Sequence, residues 1–135
     1  MKLLGFNFTK MNVEKTPDFK GKIEIKSNIR MASIEKHKVD LIKQDVVKLS
    51  FVFDIDYREL GKLTLEGFLI LLLDKKSQKD VLENWDKKDF DPQLRAQIIN
   101  IVIQRTSLQA LKLEEELGLP FHIQLPKVTV NQESN

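Results

Sequence analysis

From Val47 to Tyr57 every second residue is apolar or aromatic. Val47, Leu49, Phe51, Phe53, Ile55 and Tyr57 share one side, and Lys48, Ser50, Asp54 and Asp56 take the other. This is the period of a half-buried β-strand. Leu63 to Leu73 repeats it, with Leu63, Leu65, Leu69, Leu71 and Leu73 in phase. Glu59-Leu60-Gly61 between them reads as a three-residue hairpin loop with glycine at the left-handed position. That loop sets Arg58 opposite Lys62, and so Ile55 opposite Leu65, Phe53 over Gly67 and Phe51 opposite Leu69. A slip of one residue would turn the apolar faces apart, so the register is strongly specified.

Upstream, Lys22 to Met31 alternates through Ile23, Ile25, Ile29 and Met31, which predicts a further strand. Leu4 to Val13 predicts another, but Phe6 and Phe8 are out of phase with Met11 and Val13, which calls for a bulge. Pro17-Asp18 and Gly21 mark the turn between the two. The charged stretch Ile34 to Gln44 fits either a loop or a continuation of the second strand. After Asp74 the period becomes helical. Ser77-Gln78-Lys79-Asp80 has capping-box form ahead of Val81, Leu82 and Trp85. Asp91-Pro92 opens a long helix, and Leu117-Gly118-Leu119-Pro120 closes it. Its length is about 39 Å at a rise of 1.5 Å per residue. The fold class is α+β: a four-stranded antiparallel sheet with two C-terminal helices packed on one face.

Two surfaces in this arrangement lack an evident cover. Ile98, Ile99, Ile101, Val102 and Ile103 leave the long helix almost no polar side, and such a helix must be covered all round. A second copy of the chain is the preferred cover, with the final segment folding back as the alternative. On the second face of the hairpin, Val46, Val52, Phe68, Ile70 and Leu72 form an apolar area away from the turn. It reads as a subunit contact, a place covered by the first strand, or a docking surface for an extended apolar client. Nearer the turn the same face is acidic, with Asp54 opposite Glu66 and Asp56 beside them. Lys22, Lys26, Lys48 or Lys62 would offset the repulsion.

Composition adds mainly exclusions. The chain has 135 residues, enough for one domain, taken as 1–130 with a polar C-terminal tail at 131–135. Lys and Arg total 22 against 20 Asp and Glu, too balanced for a dedicated nucleic-acid binder. Cysteine is absent, which excludes disulfides, thiolate metal sites and cysteine nucleophiles. The longest apolar run, Phe68 to Leu73, is too short to span a bilayer, and a cytoplasmic protein is expected.

Candidate chemistry is sparse. Asp54, Asp56 and Glu66 could serve as a hard-cation or general-base cluster, but neighbouring lysines account for them more simply. His37 falls in a charged run and is expected in solvent; His122, between Pro120 and Pro126, is expected to cap a backbone group. Neither a phosphate-binding glycine loop nor a zinc or nucleophile-elbow motif is present. Phe6, Phe8, Phe51 and Phe53 alternate as core residues do and lack the interleaved cations of a base-stacking platform. No cofactor, no metal and no enzymatic activity are expected.

The order of four antiparallel strands, a loop, a long helix interrupted early and a Pro-bounded extended segment resembles the SecB family of export chaperones. It is also similar to the shorter SecB-like proteins of archaea and toxin–antitoxin systems. The residues that carry the resemblance are the opening strand from Phe6 to Lys10, the long third and fourth strands, and the helix end with Pro120 and Pro126. The resemblance implies an ATP-independent holdase that binds unfolded or pre-export polypeptides and assembles with itself as a dimer or tetramer. It gives Val46, Val52, Phe68, Ile70 and Leu72 a client-binding role. It makes Asp54, Asp56 and Glu66 a docking face for a translocation or toxin–antitoxin component, and Ile98 to Ile103 an oligomer interface. Bacterial members are acidic and carry a final helix after the Pro-rich segment; this chain is slightly basic, and its sequence predicts no such helix. A non-catalytic adaptor held in one fixed complex, for example linked to an antitoxin, is the alternative.

Overall fold

The computed structural model describes residues 1–130, so the polar tail assigned to 131–135 lies outside the described residues. Four strands, β1 (Lys2–Lys15), β2 (Lys26–Lys38), β3 (Asp45–Asp56) and β4 (Gly61–Leu72), precede two helices, α1 (Lys75–Asn84) and α2 (Pro92–Leu117). The sheet is antiparallel throughout, in the order β1-β4-β3-β2, and both helices pack on one face of it.

The β3–β4 hairpin is present in a register two residues from the expected one. Ile55 pairs with Leu63, Phe53 with Leu65, Phe51 with Gly67 and Leu49 with Leu69. The loop is the 3-10 turn Arg58–Leu60, one residue earlier than Glu59–Gly61, and Tyr57 N–H donates to the Gly61 carbonyl at 3.0 Å to close it. Arg58, not Gly61, takes the left-handed conformation, with φ 61°. A two-residue shift preserves which side chains face inward, so the core survives although every partner changes. Gly61 and Gly67 serve close strand approach instead. A Cβ on Gly61 would meet the Glu14 carbonyl, and one on Gly67 would meet the Asn7 carbonyl and the Phe51 ring.

β1 adds beside β4 with register shifts at Leu3/Gly5 and Phe8/Lys10. The second is the bulge that the change of phase between Phe8 and Met11 predicts. It brings Met11 and Val13 onto the side of Phe6 and Phe8, whose rings lie 5.2 and 6.1 Å from that of Phe51. β2 runs on through the ambiguous charged stretch as far as Lys38.

Asp74, three residues before Ser77, is the cap of α1: its carboxylate accepts the Ser77 N–H at 2.7 Å. That bond holds Asp74 below the usual carboxylate range. α2 begins and ends where the sequence places it. Asp91 accepts from the Gln93 and Leu94 amides at 2.9 and 3.4 Å, and Gly118 ends the helix at φ 69°. Leu119 N–H then returns to the Glu114 carbonyl at 2.9 Å.

The buried stripe of α2 is Leu94, Ile98, Val102, Thr106, Ala110 and Glu114, one residue in four. At 3.6 residues per turn this stripe drifts by about 40° per step. The helix therefore serves two core clusters in succession. Leu94, Ile98 and Val102 pack with Leu49, Phe51 and Leu69, and Ala110 packs with Ile55, Tyr57 and Leu63.

This placement corrects the expected oligomer interface. Ile98 and Val102 are fully buried within the chain's own core, and Ile101 packs on its margin. Ile99 is half-buried, and of the five only Ile103 is exposed. The sheet and α1 cover most of this surface, which the periodicity alone left open.

Candidate functional site

The face of the sheet away from the helices is the first candidate. Phe68, Ile70 and Leu72 follow one another along the central strand β4, half-buried, and belong to neither core cluster. Val46 and Val52 lie on the same face but are buried, so they are corrected from client-contacting positions. The reason is local. His37 stands opposite Val46, and Val52 lies between Arg30 and Glu66, so longer side chains flank both short valines. Lys48 reaches over the Phe68 ring at 4.5 Å and caps one end of the remaining strip.

The acidic groups are not assembled as expected. Asp54 faces Thr64, whose hydroxyl donates to it at 2.9 Å, and Glu66 faces Val52. Glu66 instead pairs with Lys10 of β1 at 3.4 Å, and Asp56 accepts the Arg58 N–H at 2.7 Å. The two-residue register shift separates Asp54 from Glu66, and each of the three carboxylates has its own partner. Among the described residues no three His, Asp or Glu side chains converge as a metal site would require. His37 is half-buried on β2.

The second candidate escaped the sequence reading. Tyr57, at the end of β3, donates its hydroxyl hydrogen to Glu114 Oε2. Glu114 Oε1 meets His122 Nδ1 at 2.9 Å, and His122 Nε2 lies 3.4 Å from Ser107 Oγ. Glu114 is fully buried, the His122 side chain is 3% exposed, and the imidazole meets Phe53 edge-on at 5.9 Å. Burial, then the hydrogen bond and negative charge of Glu114, raise the Tyr57 pKa far above its ordinary value. The available signal was the α2 stripe itself. Counting by fours from Leu94 reaches Glu114, and a carboxylate at a core position must have partners.

Serine, histidine and carboxylate stand here in the order of a nucleophilic triad. Ser107, however, lies inside α2, where backbone amides are committed to helical carbonyls and offer no oxyanion donor. The ring is also closed to solvent. The network acts as a clasp that holds the segment after Gly118 onto α2 and β3. Beyond it, Ile123, Leu125, Val128 and Val130 are exposed.

Arg95 makes a second clamp. Its guanidinium lies 5.4 Å from the Trp85 ring and 5.0 Å from the Phe90 ring, and it donates to the Trp85 carbonyl, fixing the link between α1 and α2. Among the described residues no helix is long and apolar enough to cross a membrane. No protein-family model, curated protein or solved structure matches this chain.

Proposed function

We propose that this chain is an ATP-independent holdase of the SecB-like kind, which binds unfolded or pre-export polypeptides through apolar surface and without chemistry. The observation that carries the reading is the strip Phe68, Ile70 and Leu72, set on a face that neither core cluster uses. Exposed apolar side chains at Phe121, Ile123, Leu125, Val128 and Val130 support it with a second stretch of extended greasy surface. Self-association, in this reading, engages Ile103 and Leu108 and leaves the strip free for clients.

The test is suppression of aggregation of an unrelated, chemically unfolded enzyme at stoichiometric amounts, without nucleotide. The wild-type chain should suppress it, and Phe68→Ser with Ile70→Ser should not, while the mass in solution stays the same. If the double variant changes mass and still holds clients, the strip is a subunit contact. The burial of Val46 and Val52 narrows the strip, and this favours a second reading: an adaptor whose apolar area is consumed by one fixed partner. An adaptor would leave the unfolded enzyme to aggregate.

A further inference from the structure

β2 is an edge strand, with no neighbour on its outer side among the described residues. Ile29, Met31 and Ile34 lie on its helix-facing side and stay only half-buried, because cover reaches them from one flank. Lys36 and Lys38 continue that side, opposite Val47 and Asp45. There the edge meets a cavity of about 620 Å³ between the end of β2, the following loop and α1. Leu73 and Leu82 line its apolar part, and Lys43, Lys75 and Lys79 its rim.

The charge around this cavity is unevenly satisfied. Asp45 is held by Lys36 at 3.3 Å, and Asp74 is engaged as the cap of α1. Glu83 is the remaining acid of the lining. Lys43, Lys75 and Lys79 of the lining, and Lys38 beside it, form no ion pair among the described residues. We propose that the β2 edge and this cavity dock an extended polypeptide segment by strand addition. The segment is apolar where it passes Ile29, Met31 and Ile34, and acidic where it reaches Lys36, Lys38 and the lysine-rimmed cavity.

Strand addition satisfies the free backbone groups of the edge, and alternate side chains then fall on the helix side. Two copies of this edge would bring like charges together, which selects a foreign acidic segment over a second β2. The register shift between Met31 and Ser33 also bends the edge away from flat self-pairing. A nucleic-acid backbone offers acceptors but no regular row of donors for the strand carbonyls, and it would meet Asp45, Asp74 and Glu83.

The site is separate from the outer-face strip, so the two readings fail separately. The probe is a labelled peptide that alternates Thr with Val over one half and Thr with Glu over the other. The same peptide with Lys for Glu and an oligothymidylate are the comparisons, and all three are followed by anisotropy. The Glu peptide should bind in a salt-sensitive manner and slow amide exchange in β2. Lys43→Glu with Lys79→Glu should weaken it by about tenfold while leaving thermal unfolding and aggregation suppression unchanged. Equal binding of the Lys peptide or the oligothymidylate, binding without protection of β2, or no binding would each overturn the proposal.

Discussion

The hydroxyl of Tyr57 is bonded to the carboxylate of Glu114, joining the end of β3 to the last turn of α2 inside the core. Tyr57→Phe removes that donor and leaves a buried carboxylate oxygen short of a partner. Stability in urea should fall by about 1–3 kcal/mol, the cost of an unsatisfied buried polar group. A loss too small to measure would mean that water replaces the phenol.

The same pair gives a pH dependence with a definite sign. Tyr57 is the only tyrosine, so tyrosinate absorbance reports one group. Its pKa is raised in the folded state from an ordinary value of 10.0. The stability it contributes is complete below that value and declines above it, because the unfolded chain releases the proton first. The decline approaches about 1.4 kcal/mol per pH unit for one proton. Alkaline titration should show tyrosinate appearing only with unfolding, and Tyr57→Phe should flatten the alkaline limb of the stability curve.

His122 anchors the segment that follows α2. His122→Ala should expose the chain beyond Gly118 to limited proteolysis, with cleavage mapped by mass, while β1 to β4 keep their slow amide exchange. Glu114→Gln, which removes the buried charge but can keep two hydrogen bonds, should be milder than Glu114→Ala in the same assay.

Two isoleucines of α2, Ile98 and Ile103, should respond very differently to truncation. Ile98→Ala cuts a fully buried side chain and should cost about 2–5 kcal/mol. Ile103→Ala, on the exposed side, should stay within about 0.5 kcal/mol for the isolated chain. A large stability loss at Ile103 that grows with protein concentration would identify a contact between copies.

Gly67→Ala should be among the most damaging single changes. The added methyl meets the Asn7 backbone carbonyl, which cannot move without shifting β1, and the Phe51 ring of β3. Overpacking of this kind costs about 1–3 kcal/mol or more. The test is faster amide exchange in β1 with β3 less affected.

Period and punctuation made the secondary structure legible. Alternation placed β3 and β4, the phase change between Phe8 and Met11 placed a bulge, and Asp91, Pro92 and Gly118 bounded α2. The hairpin partners were not legible. Parity is fixed by burial, but the choice among registers of equal parity depends on a turn centred on Arg58, where a positive φ was not expected of arginine. The candidate surfaces were read least well. Whether a half-apolar position is covered depends on the neighbours across the strands, such as His37 beside Val46. Tyr57, Glu114 and His122 are brought together only when α2 lies along β3, and no local pattern encodes that meeting.

The strand order β1-β4-β3-β2 bears on how the polypeptide is made. Of the four strands the earliest made pairs with the latest, so Lys2–Lys15 stays unmated until Gly61–Leu72 has been synthesised. Nascent β1, with Leu3, Phe6 and Phe8, is thus the part of the molecule longest in need of shelter during translation. Relocating the β1 segment to lie directly after β4, ahead of α1, would shorten that wait and make the loop to be closed a local one.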